Sequence, residues 1–146
     1  MKNGVVQFDG NKQKPGLLAL FLPGQQMLEF IYNEEEIYIE ATAPDLMGTS
    51  KVKKSEENKI FGNYVRFVSA ERKGANALAE KRKKLDEDSP EYKELTATID
   101  ATTKKVVAYQ QNIVDNHWDK LVSRIIKMSM DIIIPDSPLD ENGEEI

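Results

Sequence analysis

The chain has 146 residues, 40% of them hydrophobic and 31% charged, with 25 acidic against 20 basic residues and a net charge of −5. That is the size of one ordinary domain with enough apolar residues for a modest core, and so mild a charge offers no bulk attraction for nucleic acid or anionic lipid. No cysteine is present, which excludes disulfides, thiolate nucleophiles, cysteine metal sites and redox chemistry within these residues.

Met1 to Gly4 lacks the apolar stretch of a secretory signal, and the apolar runs farther on are too short to cross a bilayer. Up to about Ala43, short β-rich apolar runs alternate with turn residues. Val5 to Phe8, Leu17 to Leu22, Met27 to Tyr32 and Glu36 to Glu40 read as strands of an antiparallel meander, broken at Gly10, Pro15-Gly16, Pro23-Gly24 and Asn33 to Glu35. Pro23-Gly24 suits the centre of a type II turn, since proline presets φ and glycine accepts a positive one. Leu17 to Leu22 has no polar residue, the pattern of a strand buried on both faces.

From Ser55 the period changes. Phe61, Tyr64, Val68, Ala75, Leu78 and Leu85 keep a three-four spacing with Glu71 and Arg82 as polar interruptions, which predicts one helix of roughly 30 residues. Gly74 falls inside it, at a cost of about 1 kcal/mol relative to alanine, and reads as a weak point or mild kink. Asp86 to Ser89 then forms a turn, with Ser89 as N-cap and Pro90 at the first position of a second helix. Tyr92, Leu95, Ile99, Val106, Tyr109 and Ile113, with Thr102 filling one seam position, match the first helix, so the pair should fold back as an antiparallel hairpin. A third helix from about Trp118 to Met130 presents Leu121, Val122, Ile125, Ile126 and Met128, and its apolar character suggests packing on the sheet. After Ile132 to Ile134 come Pro135, Pro138 and the acidic run Asp140 to Glu145, which reads as a linker or disordered end.

The pattern as a whole predicts an α+β fold: a small antiparallel β-sheet of about four strands, a long antiparallel helical hairpin, a third helix and an extended acidic tail. The expected division is a β region over 1–50, an incomplete β domain; a helical region over 51–131; and a linker over 132–146.

Residues able to carry chemistry are few. His117 is the only histidine, and a triad would need it to meet Ser123 and Asp115, for which no nucleophile-elbow glycine pattern exists. One histidine also argues against zinc. Glu34 to Glu36 and Asp140 to Glu145 lack EF-hand spacing, since Gly143 is fourth and not sixth from Asp140. Lys81 to Lys84 sits at a helix end beside Asp86 to Asp88, a pattern that suits the helix dipole better than a phosphate patch. Trp118, Tyr32, Tyr38, Tyr64 and Tyr109 could stack a ligand, although their seam and strand spacing suits a core. No catalytic, cofactor-binding or metal-binding residue is therefore assigned.

Three segments, Lys14 to Pro23 (KPGLLALFLP), Leu28 to Glu40 (LEFIYNEEEIYIE) and Lys51 to Phe61 (KVKKSEENKIF), resemble the N-terminal region of thioredoxin-like envelope proteins of the Bacteroidetes. The similarity spans about 4–135, and Ser55 to Asn58 is its most specific piece. In that family a small β domain and a helical domain of unknown function precede a C-terminal thioredoxin-fold domain. The family's signal peptide, earlier β strands and paired redox cysteines have no counterpart in this chain, so no catalytic residue carries over.

The resemblance implies a non-catalytic accessory module of a periplasmic or cell-envelope thiol-disulfide oxidoreductase-like protein. Such a module would position or dimerise the catalytic domain, or hold a client. The alternative is a peptide- or glycan-binding module using the sheet face and its tyrosines. The expected partners are a second copy, as a homodimer through the β region, and a C-terminal thioredoxin-fold domain in the parent protein, with neither nucleic acid nor membrane insertion.

Overall fold

A computed structural model describes residues 4–130 of the chain; the expected acidic linker at 132–146 lies outside them. The fold is α+β, with two separate two-stranded antiparallel sheets and four helices among the described residues. The elements in order are β1 (Gly16–Leu22), β2 (Gln26–Tyr32), β3 (Tyr38–Glu40), α1 (Leu46–Thr49), β4 (Lys51–Lys54), α2 (Glu56–Arg82), α3 (Pro90–Asn116) and α4 (Leu121–Met128).

β1 and β2 pair in a regular hairpin from Gly16↔Tyr32 to Leu22↔Gln26. The turn is three residues long, with Gly24 at φ 82° and Gln25 at φ 60°. Gly24 thus adopts the positive φ for which Pro23-Gly24 was read as a turn, and Gln25 extends the connection by one left-handed residue. Two strand expectations are corrected. Val5 to Phe8 forms no strand, and β3 does not continue the meander but pairs with β4, Ile39 opposite Val52. The exposed margins of the second ladder carry the ion pairs Lys53–Glu40 (3.3 Å) and Lys54–Glu36 (2.8 Å), which solvent screens, so they add little to stability.

α2 runs unbroken through Gly74. Ser55 caps it by accepting from Asn58 N, and Ser89 caps α3 by accepting from Tyr92 N, with Pro90 in the first turn. Contacts across the seam fix the antiparallel sense: Gln110 Nε2 reaches Tyr64 Oη (3.0 Å), the Phe67 and Tyr109 rings lie 4.2 Å apart, Lys105 pairs with Glu71, and Arg82 Nη1 donates to Thr96 Oγ1 (3.0 Å). Every seam residue named from the heptad pattern is buried or half-buried.

The core lies at the base of this hairpin, where Ile31 of β2, Phe61 of α2, Ile113 of α3 and Val122 and Ile126 of α4 meet. Each is 6% exposed or less, a burial worth about 1.5–3 kcal/mol per side chain. α4 was expected on the sheet. It lies instead against α2 and α3, because Val122 and Ile126, one turn apart, face the hairpin base, and Ile31 is the sheet's contribution to the same cluster.

Candidate docking surface

Each chemically suggestive group has a structural occupation. Ser123 is 2% exposed and donates to Ile113 O (3.2 Å), closing the C-terminal end of α3. His117 is the C-cap of α3, and Asp115 accepts from Gln111 (2.7 Å); the three do not form a relay. In the basic cluster, Lys81 pairs with Glu91 (2.9 Å), Lys83 with Glu80 (2.5 Å), and Arg82 lies 5.3 Å over the Tyr92 ring. Lys81 and Arg82 thus tie the end of α2 to the start of α3, while the Lys83–Glu80 pair lies at the C-terminal end of α2 itself. Among the described residues no group of three or more histidine or acidic side chains is placed to hold a metal ion. No helix there is long and apolar enough to cross a membrane.

Ser55 to Asn58 forms a junction that sequence reasoning did not resolve. Asn58 is 2% exposed, and its side-chain amide accepts from Ile31 N (2.7 Å) and donates to Ile31 O (2.7 Å) and Ser55 Oγ (2.8 Å). It thus acts as a one-residue strand partner on the outer edge of β2. Glu57, 6% exposed, accepts from Asn33 Nδ2 (2.8 Å), Leu121 N (3.2 Å) and Val122 N (2.7 Å). The last two are orphan donors at the start of α4, whose own N-cap residue Lys120 makes no side-chain cap, so Glu57 caps that helix from a distant position in the chain. Ser55 holds φ 105°, a costly conformation for a residue with a Cβ. Its hydroxyl donates to Glu35 and accepts from Asn58 N (3.0 Å), which fixes it there.

Among the described residues, the exposed Tyr38 and Glu40 and the half-buried Lys120 have shifted pKa values. The Tyr38 phenol is raised, chiefly because its hydroxyl donates to Glu40. Glu40 is lowered, first by that bond and then by Lys53. Lys120 is raised, first by its hydrogen bond to Glu56.

The β half leaves surface uncovered in two ways. The first is a groove of about 850 Å³, floored by Leu18, Leu20, Leu28 and Phe30 of the hairpin and walled by Ile37 and Ile39. Its rim carries Asp9, Glu34, Glu35 and Glu36, and no lysine or arginine among the described residues lines it. Tyr32 does not present a free hydroxyl there, because it donates to Gly10 O (2.9 Å).

The second is an edge. Ile31 and Glu29 direct their backbone N–H groups away from β1, toward Asn58 and the Met47 sulfur (3.1 Å). Opposite residues of an antiparallel pair share this phase, so their partners Leu17 and Ala19, and Phe21 two residues on, point both backbone groups outward from β1. No described residue bonds to them through its backbone. On that side Leu17 is 44% and Phe21 72% exposed. The expectation that β1 is buried on both faces is therefore corrected: one face is half-buried in the groove, and the other is open. Trp118, expected in a core, is also open to solvent at 76%.

No known protein family, curated protein or solved structure matches this chain.

Proposed function

We propose that this chain is a non-catalytic interaction module in which the helical hairpin is the scaffold and the β half the docking surface, and that it associates as a symmetric dimer through that β half. The supporting observation is the asymmetry of the β hairpin. Asn58 and Met47 close the outer edge of β2, whereas β1 keeps an open apolar edge beside a groove with an apolar floor and an acidic rim. Open edges of this kind pair with other chains unless charge, proline or a bulge protects them.

Gel filtration with light scattering tests the reading. The chain should run heavier than 16.6 kDa at tens of micromolar. Phe21→Glu should weaken the association, while Val107→Glu, on the exposed side of α3, should leave it intact. Disruption by Val107→Glu alone would move the interface to the hairpin and refute the reading.

A peptide or glycan client in the groove is the alternative: the aliphatic floor suits a peptide side chain, and Phe8, Phe30 and Tyr32 among the lining residues offer aromatic surface to a sugar. The likeness of three segments to thioredoxin-like envelope proteins extends the proposal to an accessory role in the cell envelope, positioning or dimerising a thioredoxin-fold domain or holding its client. That extension rests on the sequence likeness alone. It expects a Cys-x-x-Cys on a βαβ pattern downstream in the parent reading frame, and a frame without one removes it.

A further inference from the structure

We infer that the partner of β1 is β1 of a second copy, paired antiparallel about a two-fold axis at Ala19, so that Leu17 faces the partner's Phe21 and the two hairpins join into one four-stranded sheet. This deepens the reading of the β half as the docking surface and rests on it.

The outward positions of the strand are arranged for self-pairing. In order they are Leu17, Ala19 and Phe21, bounded by Pro15 and Pro23. The pattern is symmetric about Ala19: a proline at each end, a large apolar side chain next to it and the smallest residue in the middle. Antiparallel pairing about Ala19 sets each residue opposite the one that restores this symmetry. The ladder then ends at both sides on proline, which has no N–H to donate. Both backbone groups of Leu17, Ala19 and Phe21 find partners, and the exposed Phe21 ring gains an apolar neighbour across the strand.

Charge favours a second copy as well. Two chains of net charge −5 approach through a strand, Gly16–Leu22, with no charged side chain. The nearest acid on that face is Glu29, opposite Ala19 within the hairpin. It would lie about 14 Å from its symmetry mate, three strand spacings away, beyond the Debye length of about 8 Å at physiological salt. A basic partner would find no complement on this strand, whereas a copy of the same uncharged strand sets no like charges directly opposite one another. On the other face, Leu18 would meet the partner's Leu20 at a close, non-hydrogen-bonded position, making the two groove floors continuous.

Ala19→Pro is the decisive variant. The Ala19 N–H points away from β2, so proline there removes no bond of the hairpin, and an edge strand tolerates it. The wild type should scatter as a dimer of 16.6 kDa chains, and Ala19→Pro as a monomer with an unchanged circular dichroism spectrum. Register is read separately in this cysteine-free chain: a short bis-maleimide should cross-link a mixture of Leu17→Cys and Phe21→Cys chains more efficiently than either alone. A monomeric wild type overturns the inference. So does a dimer that survives Ala19→Pro, and if such a dimer still falls to Phe21→Glu, the β half remains the docking surface while the edge pairing is lost. Equal cross-linking of the mixture and the single variants overturns the register.

Discussion

Replacing Asn58 by alanine should be among the most damaging single changes in the chain. The Asn58 amide is the partner of both backbone groups of Ile31, at 2.7 Å each, and Ile31 is fully buried. Alanine cannot replace either bond. Each buried backbone group left unmet costs about 1–3 kcal/mol, so with both groups of Ile31 unmet Asn58→Ala should destabilise by roughly 2–6 kcal/mol. That is a large share of the 5–15 kcal/mol typical of a folded domain. Urea unfolding followed by circular dichroism measures it, with the slope unchanged and the midpoint lowered. Asn58→Asp sharpens the test, because the carboxylate still accepts from Ile31 N but sets an oxygen against Ile31 O. It should be as damaging as alanine at pH 7 and recover in part in acid, where the protonated carboxyl regains a donor. Asn63→Ala, an exposed change on the same helix, is the control and should cost less than about 0.5 kcal/mol. If Asn58→Ala cost no more than Asn63→Ala, the junction would carry no energy and the account of how β2 is anchored would fail.

Glu57→Ala removes the cap of α4 and should cost about 1–2 kcal/mol by the same urea assay, with Glu57→Gln intermediate because one acceptor oxygen remains. Ile99→Ala, on the half-buried seam of α3, should cost about 1–3 kcal/mol and the exposed neighbour Thr98→Ala much less; equal effects would break the seam assignment. Gly74→Ala should stabilise by about 0.5–1 kcal/mol, because a Cβ there meets nothing within 4 Å, and a raised melting temperature reads it. By NMR titration the Glu40 carboxyl should ionise below the ordinary glutamate range and return toward it in Tyr38→Phe. Since its folded pKa is depressed, the associated stability is present above the unfolded-state pKa and is lost as pH falls through the folded one.

The helices were legible because their signals are local and redundant. The Phe61 to Leu85 and Tyr92 to Ile113 spacings, Ser55, Ser89 and Pro90 each report the same boundaries within a few residues. β4 was not legible: Lys51 to Lys54 shows one apolar residue in four, and only its pairing with β3 makes it a strand. A lysine-rich short edge strand is itself a known protective device, and the alternation of Lys51, Val52 and Lys53 was the available signal. The apolar run in β1 misled for a related reason, since composition cannot say whether a face that could be buried has anything to bury it. Glu57 and Asn58 escaped because their partners, Val122 and Ile31, lie far away in sequence. The hint was the choice of asparagine within the first turn of α2, where it is a poor helix former.

The placement of those two residues explains how one end of the molecule can be firm and the other open. Glu57 and Asn58 are adjacent, yet one reaches the start of α4 and the other the edge of β2, so a single turn of α2 fastens both elements to the base of the hairpin. The polar groups consumed there are buried and fully partnered: no buried side-chain nitrogen or oxygen among the described residues lacks a hydrogen-bond partner. Such a junction fixes orientation more than it adds raw stability, because buried polar contacts are strong only in one geometry. With β2 held at Ile31, the hairpin cannot turn its other strand toward the helices. The apolar edge of β1 is thereby directed outward by the same contacts that seal the edge of β2, and its exposure is a consequence of how the chain is fastened.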